Sequence, residues 1–308
     1  GMLTDSETFT LTVNAVNDNP VLTSIGSQST NEDTAKVVTL SATDIENDGL
    51  TFTANSAETN VTATVEGTSL TLTPADNWNG TADITVTVTD DGAGMLTDSE
   101  TFTLTVNAVN DAPTDLALNS TSVNENSEIG TTVGTLSTTD VDSDDSHSYT
   151  LVSGDGDTDN ASFTINGINL NTDDLFNYET KPSYAIRIQT TDSESAIYAE
   201  AISITVTDMN DAPVLAGIPN QIVNEDMAKT VMLTASDEDG DFLVFSANPD
   251  TTAIIVEIAD GTLTLTPADN WNGTADITVT VTDDGAGMLT DSETFTLTVN
   301  AVNDNPVL

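Results

Sequence analysis

The sequence predicts an all-β chain of β-sandwiches arranged end to end. Three observations predict it. Apolar residues alternate with Thr at a period of two, and helical periodicity is absent. Asn-Gly, Asp-Gly and Gly-Ala-Gly punctuate the chain as turn signals. Long stretches also recur at fixed offsets, as arrays of small domains do.

The alternation is clearest at Phe9-Thr10-Leu11-Thr12-Val13, Leu70-Thr71-Leu72 and Ile84-Thr85-Val86-Thr87-Val88. Thr is β-branched and suits the solvent-facing side of a strand. Within 19–111 the strand candidates are 21–29, 36–42, 50–54, 61–65, 69–73, 82–89 and 99–107. Seven short strands in about 93 residues predict an immunoglobulin-like Greek-key sandwich.

The repeats set the domain boundaries. Residues 70–111 recur letter for letter at 263–304, which is 193 residues later. The upstream halves keep the offset: Ile25 meets Ile218, Asn31-Glu32-Asp33 meets Asn224-Glu225-Asp226, and Asp44 meets Asp237. A third copy of the tail, residues 1–22, equals 287–308. The division is therefore a terminal strand of a preceding repeat (1–18), a repeat at 19–111, a different unit at 112–211, a repeat at 212–304, and the start of another at 305–308. The chain starts mid-pattern and reads as an excerpt of a longer array. Near-identity of separated repeats points to recent duplication and to spacing, rather than repeat-specific chemistry, as the selected property.

The joints VNAVND-(A/N)-P at 106–113 and 299–306, and VTDMNDAP at 206–213, leave little slack. Pro113, Pro213 and Pro306 fix the backbone where each next domain starts. Short stiff joints favour a rod. Residues 1–18 lack their partner strands here, and an unpaired strand exposes backbone donors and acceptors. The plain reading is a chain boundary, so deleting 1–18 is expected to leave monomer behaviour unchanged. The alternative is pairing in trans with another subunit.

Charge narrows the function classes. The 308 residues carry 51 acidic and 4 basic side chains, for a net charge of −47. Nucleic acid and anionic bilayers both need a basic footprint, so neither fits as a partner. Polycations and divalent cations remain. Such a charge with low hydrophobicity often means disorder. Here the 37% of hydrophobic residues are arranged in strand alternation, which argues for a folded chain. No cysteine is present, which excludes disulfides, thiol catalysis and zinc-thiolate sites. No apolar run approaches a membrane span. An extracellular or bacterial surface location fits this composition.

The middle unit resembles a cadherin repeat over its whole length. The residues that carry the likeness are Val123-Asn124-Glu125-Asn126, Asp140-Val141-Asp142, Leu175-Phe176-Asn177-Tyr178-Glu179, Thr191-Asp192-Ser193 and Asp208-Met209-Asn210-Asp211-Ala212-Pro213. In order, they look like the family's base Glu, DxD pair, LDYE segment, xDx segment and DxNDNAP linker. The flanking units are similar to cadherin-like repeats of long bacterial (RTX-type) surface adhesins, marked by NED at 31–33 and 224–226 and PADNWNG at 74–80 and 267–273. They lack the LDYE segment, and Ala108 stands where the middle unit has Asp208.

The resemblance implies calcium at the joints. Calcium takes about 6–8 oxygen ligands, and carboxylates, Asn amides and backbone carbonyls supply them. One implied set is Glu125, Asn177, Glu179, Asp208, Asn210 and Asp211 with Asp237, Asp239 and Asp283 of the following domain. A second is Glu32, Asp76, Asn110, Asp111, Asp140, Asp142 and Asp192, and Glu225 is the counterpart of Glu32 in the last repeat. The competing reading is a solvated acidic surface. Asp5, Glu7, Asp98 and Glu100 are expected to be solubilising charge of that kind.

Other features carry less. Gly154-Asp155-Gly156-Asp157-Thr158-Asp159-Asn160 resembles the start of an EF-hand loop, but its central Gly and terminal Glu are out of register, so a tight turn is expected. His147 is the lone histidine and no triad can be read around it. Trp78 and Trp271 are expected to cap a core beside an Asn-Gly turn, with a sugar-stacking platform as the alternative. The expectation is a non-enzymatic, calcium-rigidified stalk segment of an extracellular adhesin. Its partners would be neighbouring repeats of the same chain. A carbohydrate-binding module and a self-associating filament subunit are the alternatives.

Overall fold

The computed structural model describes residues 1–303 of the 308. The predicted start of another repeat at 305–308, with Pro306, lies outside them. Two compact units are distinguished: 1–112 with 140–145, and 113–139 with 146–303.

The first unit carries one sandwich. Its strands are β1 (Val21–Leu22), β2 (Gln28–Asn31), β3 (Lys36–Thr39), β4 (Ala42–Thr43), β5 (Leu50–Ser56), β6 (Val61–Glu66), β7 (Ser69–Pro74), β8 (Gly80–Asp90) and β9 (Thr97–Asn107). One sheet runs β2-β9-β8-β5 and the facing sheet runs β3-β7-β6, with β1 pairing β4. Alternation places Ile84, Val86, Val88 and Leu104 fully inside, against Leu70 and Leu72 of the other sheet. The intervening threonines point outward, and Thr85 and Thr101 hydrogen-bond across β8 and β9 at 2.9 Å.

The predicted strand at 21–29 is two strands. β1 pairs antiparallel with β4, whereas β2 pairs parallel with β9 in the opposite sheet. The chain changes sheets between them, through Gly26 at φ 65°. Glycine takes that left-handed conformation without the Cβ penalty. The predicted 36–42 divides likewise into β3 and β4.

Asp98 and Glu100 are not mere solubilising charge. Because β1 is so short, its neighbouring backbone donors need partners from elsewhere. Asp98 accepts the Leu22 N–H at 2.9 Å, and Glu100 accepts the Ile25 N–H at 3.0 Å and the Ser24 hydroxyl at 2.9 Å. Asp291 and Glu293 do the same for Leu215 and Ile218 in the last repeat.

The second unit carries two sandwiches. The middle one uses β10 (Asp115–Leu118), β11 (Ser122–Asn124), β12 (Thr132–Thr139), β13 (Ser148–Leu151), β14 (Phe163–Asn166), β15 (Asn169–Thr172), β16 (Ser183–Thr191) and β17 (Ile197–Thr207). These form sheets β10-β12-β15-β14 and β11-β17-β16-β13. Its core holds three touching rings, Phe163, Phe176 and Tyr184. Lys181 lies 4.5 Å over the Tyr184 ring and pairs with Asp159. Burial works against the Asp159 carboxylate, but hydrogen bonds from Lys181 and from the Ala185 N–H, with the lysine charge, hold its pKa below the usual value. The 154–160 segment is a turn. Asp157 accepts the Gly154 N–H, and Asn160 bonds the Val152 carbonyl and the Arg187 N–H.

The last sandwich follows the plan of the first. Its strands are β18 (Val214–Leu215), β19 (Gln221–Asn224), β20 (Lys229–Met232), β21 (Ala235–Ser236), β22 (Val244–Pro249), β23 (Ile254–Ala259), β24 (Thr262–Pro267), β25 (Gly273–Thr282) and β26 (Thr290–Asn300). The sheets run β19-β26-β25-β22 and β20-β24-β23, with β18 on β21.

Residues 1–20 form no strand. Leu11 is 77% exposed, whereas Leu104, which occupies the same place in the repeat, is fully buried. Leu104→Ala is therefore expected to cost about 2–5 kcal/mol. Leu11→Ala should stay within about 0.5 kcal/mol. The urea midpoint of the earliest unfolding transition measures both.

Candidate metal centre

In each sandwich a glutamate at the base ties the departing chain back to its own domain. Glu125 is 3% exposed; one carboxylate oxygen accepts the Met209 N–H at 2.7 Å and the other the Tyr178 N–H at 2.7 Å. Glu32 accepts the Val109 N–H and Glu225 the Val302 N–H, both at 2.6 Å. A buried carboxylate needs such donors, and charge-assisted bonds are the stronger kind. The base glutamate is thus held in one rotamer whatever else it does.

Around Glu125 the second unit gathers more acid than it neutralises. Oxygens of Glu125, Glu179 and Asp208 lie within 4.8 Å of one another, as do those of Glu179, Asp211 and Glu238, and those of Asp237, Asp239 and Asp241. Tyr178, Glu179, Asp208, Asn210, Asp239, Asp241, Gly285 and Ala286 line one cleft of about 520 Å³. The Asp211 N–H donates to Asp239 at 2.7 Å, and the Asn210 amide to Asp283 at 3.2 Å. Asp283, buried, also accepts the Gly285 and Leu289 N–H groups. Asn177 turns its amide to Glu238 at 2.7 Å.

The electrostatics follow from that crowding. The Asp208 carboxyl is held above its usual pKa by desolvation, then by Asp239 and Glu125. Asp211 is raised by burial, then by Glu125, Asp239 and Glu238. Asp241 is raised by desolvation, then by Asp237 and Asp284. Glu179 is pulled down by its own backbone N–H, but burial and the charges of Glu125, Asp239 and Asp208 push it up further. One carboxylate oxygen each of Asp211, Asp237 and Asp241 is buried without a hydrogen-bond partner. A shut-in oxygen that no donor reaches is costly unless a cation meets it. The donors are all hard oxygens, so the set fits calcium rather than a softer metal.

In the first unit the predicted residues gather in part. Asp111 donates its N–H to Asp142 at 2.7 Å, and Asp142 donates its own to Asp140 at 3.1 Å. Asp111 is raised by desolvation, then by Asp142, Asp33, Glu32 and Asp140. The Asn110 amide donates to the Asp111 carbonyl. Asp76 is exposed and outside these contacts; Asp33 stands there instead and accepts the Asn77 N–H at 2.9 Å. Asp192, in the second unit, is buried and accepts the Glu194 and Ala196 N–H groups.

Sequence reasoning missed several acids. Glu238 and Asp241 belong to the clusters just described. The first repeat also has a similar acidic end of its own: Asn17 donates to Asp90 at 3.0 Å, and the Asp18 N–H to Glu46 at 3.2 Å. Asp48 is raised there by desolvation, then by Asp44, Asp91 and Asp90, and Asp44 keeps a buried, unpartnered oxygen. The signal was available, because Asn17, Asp44 and Asp90 precede Asn210, Asp237 and Asp283 by the same 193 residues.

Trp78 is half-buried against the core, and a Cβ added to Gly80 would meet its ring at 2.9 Å. Trp271 sits over Gly273 in the same way, at 3.2 Å. Both indoles have one face spent on packing.

Residues 209–300 match the cadherin-like domain, and residues 17–107 match the bacterial Ig domain. The two matches fall on the same repeat, 193 residues apart. Mouse protocadherin Fat 4 is 31% identical over 139 residues, 42% of this chain and 3% of that protein, so the chain spans a small part of its curated relative. Among solved structures, mouse cadherin-23 EC22-24 is similar with a TM-score of 0.57 at 20% identity, covering 93% of this chain and 100% of that one. Protocadherin gammaB7 EC3-6 reaches 0.59 at 20% identity, covering 91% of this chain and 76% of that one. The fold is that of tandem cadherin-type β-sandwiches.

Acids whose folded pKa is raised favour folding when protonated. Their contribution is present below the ordinary carboxylate value of 3.8 and is lost as pH rises through the raised values. In chelator, the melting temperature should therefore fall as pH climbs from about 4 toward neutrality. Asp159 contributes in the opposite sense, below 3.8, outside that window. Calorimetry across that range checks the slope; a melting temperature that rises with pH in chelator contradicts it.

Proposed function

We propose that this chain is a calcium-rigidified extender segment of a bacterial extracellular adhesin, of the RTX type its flanking repeats resemble. Its role is mechanical and non-enzymatic, and its partners are neighbouring repeats of the same chain. The observation that carries the reading is the set of buried, unpartnered oxygens of Asp211, Asp237 and Asp241 among converging carboxylates. The matches to cadherin-like and bacterial Ig domains support a surface protein.

Glu125, Glu179, Asp208, Asp211, Asp237, Asp239 and Asp241 would hold the ions, with Asn210 and Asp283 beside them. Bound calcium supplies positive charge and a demand for many oxygens at once. The residues do the rest. Glu125 fixes the departing strand through Met209, Asp239 fixes the linker through Asp211, and Asp283 fixes it through Asn210. Glu125 and Asp239, which would face an ion, thus also hold linker backbone. Neutralising the carboxylates would therefore stiffen the linker as well as relieve repulsion.

Two measurements test this. Millimolar calcium should raise the melting temperature, by an amount equivalent to about 2.7 kcal/mol for a site filled to a hundred times its Kd. The double variant Asp208→Asn, Glu179→Gln should melt higher than the parent in chelator, because repulsion is relieved, and gain less from calcium. An unchanged parent melting curve in verified free calcium refutes the reading. Small-angle X-ray scattering should show one extended species with calcium and a broad distribution in chelator; a profile indifferent to calcium would make the acids surface charge.

A further inference from the structure

The first and last sandwiches are each entered and left along two strands that lie side by side and parallel. β2 pairs with β9 from Gln28 and Leu104 to Asn31 and Asn107, and β19 pairs with β26 from Gln221 and Leu297 to Asn224 and Asn300. In a parallel pair the entry of one strand and the exit of the other lie at opposite ends. A pull along the chain therefore slides the two strands past each other, and the evenly spaced rungs are strained together. β1 and β18 lie upstream but hold by two register pairs each, so the load soon passes to the parallel pair.

At the exit end the base glutamate extends the ladder. The Glu32 N–H donates to the Asn107 carbonyl at 3.0 Å, and the Glu32 carboxylate then accepts the Val109 N–H at 2.6 Å. Glu225 repeats both contacts, to Asn300 at 2.9 Å and to Val302 at 2.6 Å. Both glutamates are buried, so water competes poorly for their bonds. The residue after each is anchored in turn: Asp33 accepts the Asn77 N–H and Asp226 the Asn270 N–H. The outgoing chain is thus bound to residue 32, and residue 32 is joined covalently to β2, on which the incoming chain pulls. The sandwich cannot lengthen from this end until that bond gives.

We propose that Glu32 and Glu225 are mechanical latches that set the pull at which the first and last sandwiches open. This rests on the mechanical role proposed above and not on calcium, because the latch is made by the chain's own N–H groups. A bond to a charged acceptor counts about double a neutral one, so the last rung is also the strongest. The carboxylate does its work inside one sandwich, between the strand that enters it and the chain that leaves it. Resistance of a sandwich to opening is thereby separate from the stiffness of the joint beyond it.

The full 308-residue chain, held by its two ends in chelator, is extended at constant speed while the force is recorded. One peak is expected for each sandwich. Glu32→Ala with Glu225→Ala should lower two of the three peaks by roughly a quarter, as one bond of double weight is lost beside a ladder of about five others. The third peak, from the middle sandwich with Glu125 intact, should not move. Glu32→Gln with Glu225→Gln keeps an uncharged acceptor in place and should lose about half as much. Leu72→Val with Leu265→Val, buried in β7 and β24 of the facing sheet, should lower the melting temperature and leave the peaks where they are. Unchanged peaks in the alanine pair overturn the latch alone. So does a fall of the middle peak with the others. An equal fall in the leucine pair also overturns it, because the glutamates would then be ordinary contributors to stability. Parent sandwiches that open without a measurable peak overturn the latch and the mechanical role together.

Discussion

Everything about this chain turns on uncompensated negative charge held in place by its own backbone. Four basic side chains face 51 acidic ones. At the ends of the sandwiches, carboxylates that would drift apart in water are pinned by N–H donors. Glu125 is locked between Tyr178 and Met209, Asp239 receives Asp211, and Asp283 receives Gly285 and Leu289. Beside them Asp211, Asp237 and Asp241 each keep one buried oxygen that no donor reaches. Repulsion is thereby stored in a fixed geometry, and a fixed set of oxygens is what a hard cation requires.

The β-sandwich supplies rigidity on which that geometry rests. Fully buried Ile84, Val86, Val88 and Leu104, and their counterparts Ile277, Val279, Val281 and Leu297, make a dry interior. The outer sides of β8, β9, β25 and β26 are rich in threonine, and one hydroxyl pair spans each of these two strand pairs. The acids cluster where strands end and linkers begin. The core and the charged ends thus use different residues of the same repeat, and one can vary with little effect on the other. Ala108 in the place that Asp208 takes in the middle unit is such a variation.

Much of this was legible in the sequence, for physical reasons. A period of two shows which residues face inward, so strands and cores could be read from Leu70-Thr71-Leu72, Ile84-Thr85-Val86 and their like, whereas Phe9-Thr10-Leu11 has the same pattern and forms no strand. The exact recurrence over 193 residues fixed the repeat spacing. Three things were not legible. The switch of the first strand between sheets at Gly26 leaves no trace in the alternation, because both halves face the same core. The backbone roles of Asp98 and Glu100 look like surface charge until β1 is seen to lack partners. The participation of Glu238 and Asp241 depends on loop conformation, which composition does not encode, whereas Asp44 and Asp90 could have been found by carrying the offset through.

The scarcity of cations has a last consequence, for resistance to proteolysis. Proteases of trypsin type need a Lys or Arg in the cleaved bond, and only Lys36, Lys181, Arg187 and Lys229 offer one. Three of them lie in β3, β16 and β20, where the extended backbone is already paired, and the fourth is tied to Asp159. A protease must bind its substrate as an unpaired extended strand, so the three bonds in strands are not presented while the sandwiches are closed, and the lysine side chain that would enter the protease pocket at the fourth is engaged by Asp159. A chain nearly stripped of positive charge is also a chain with almost nowhere to be nicked by this class of enzyme.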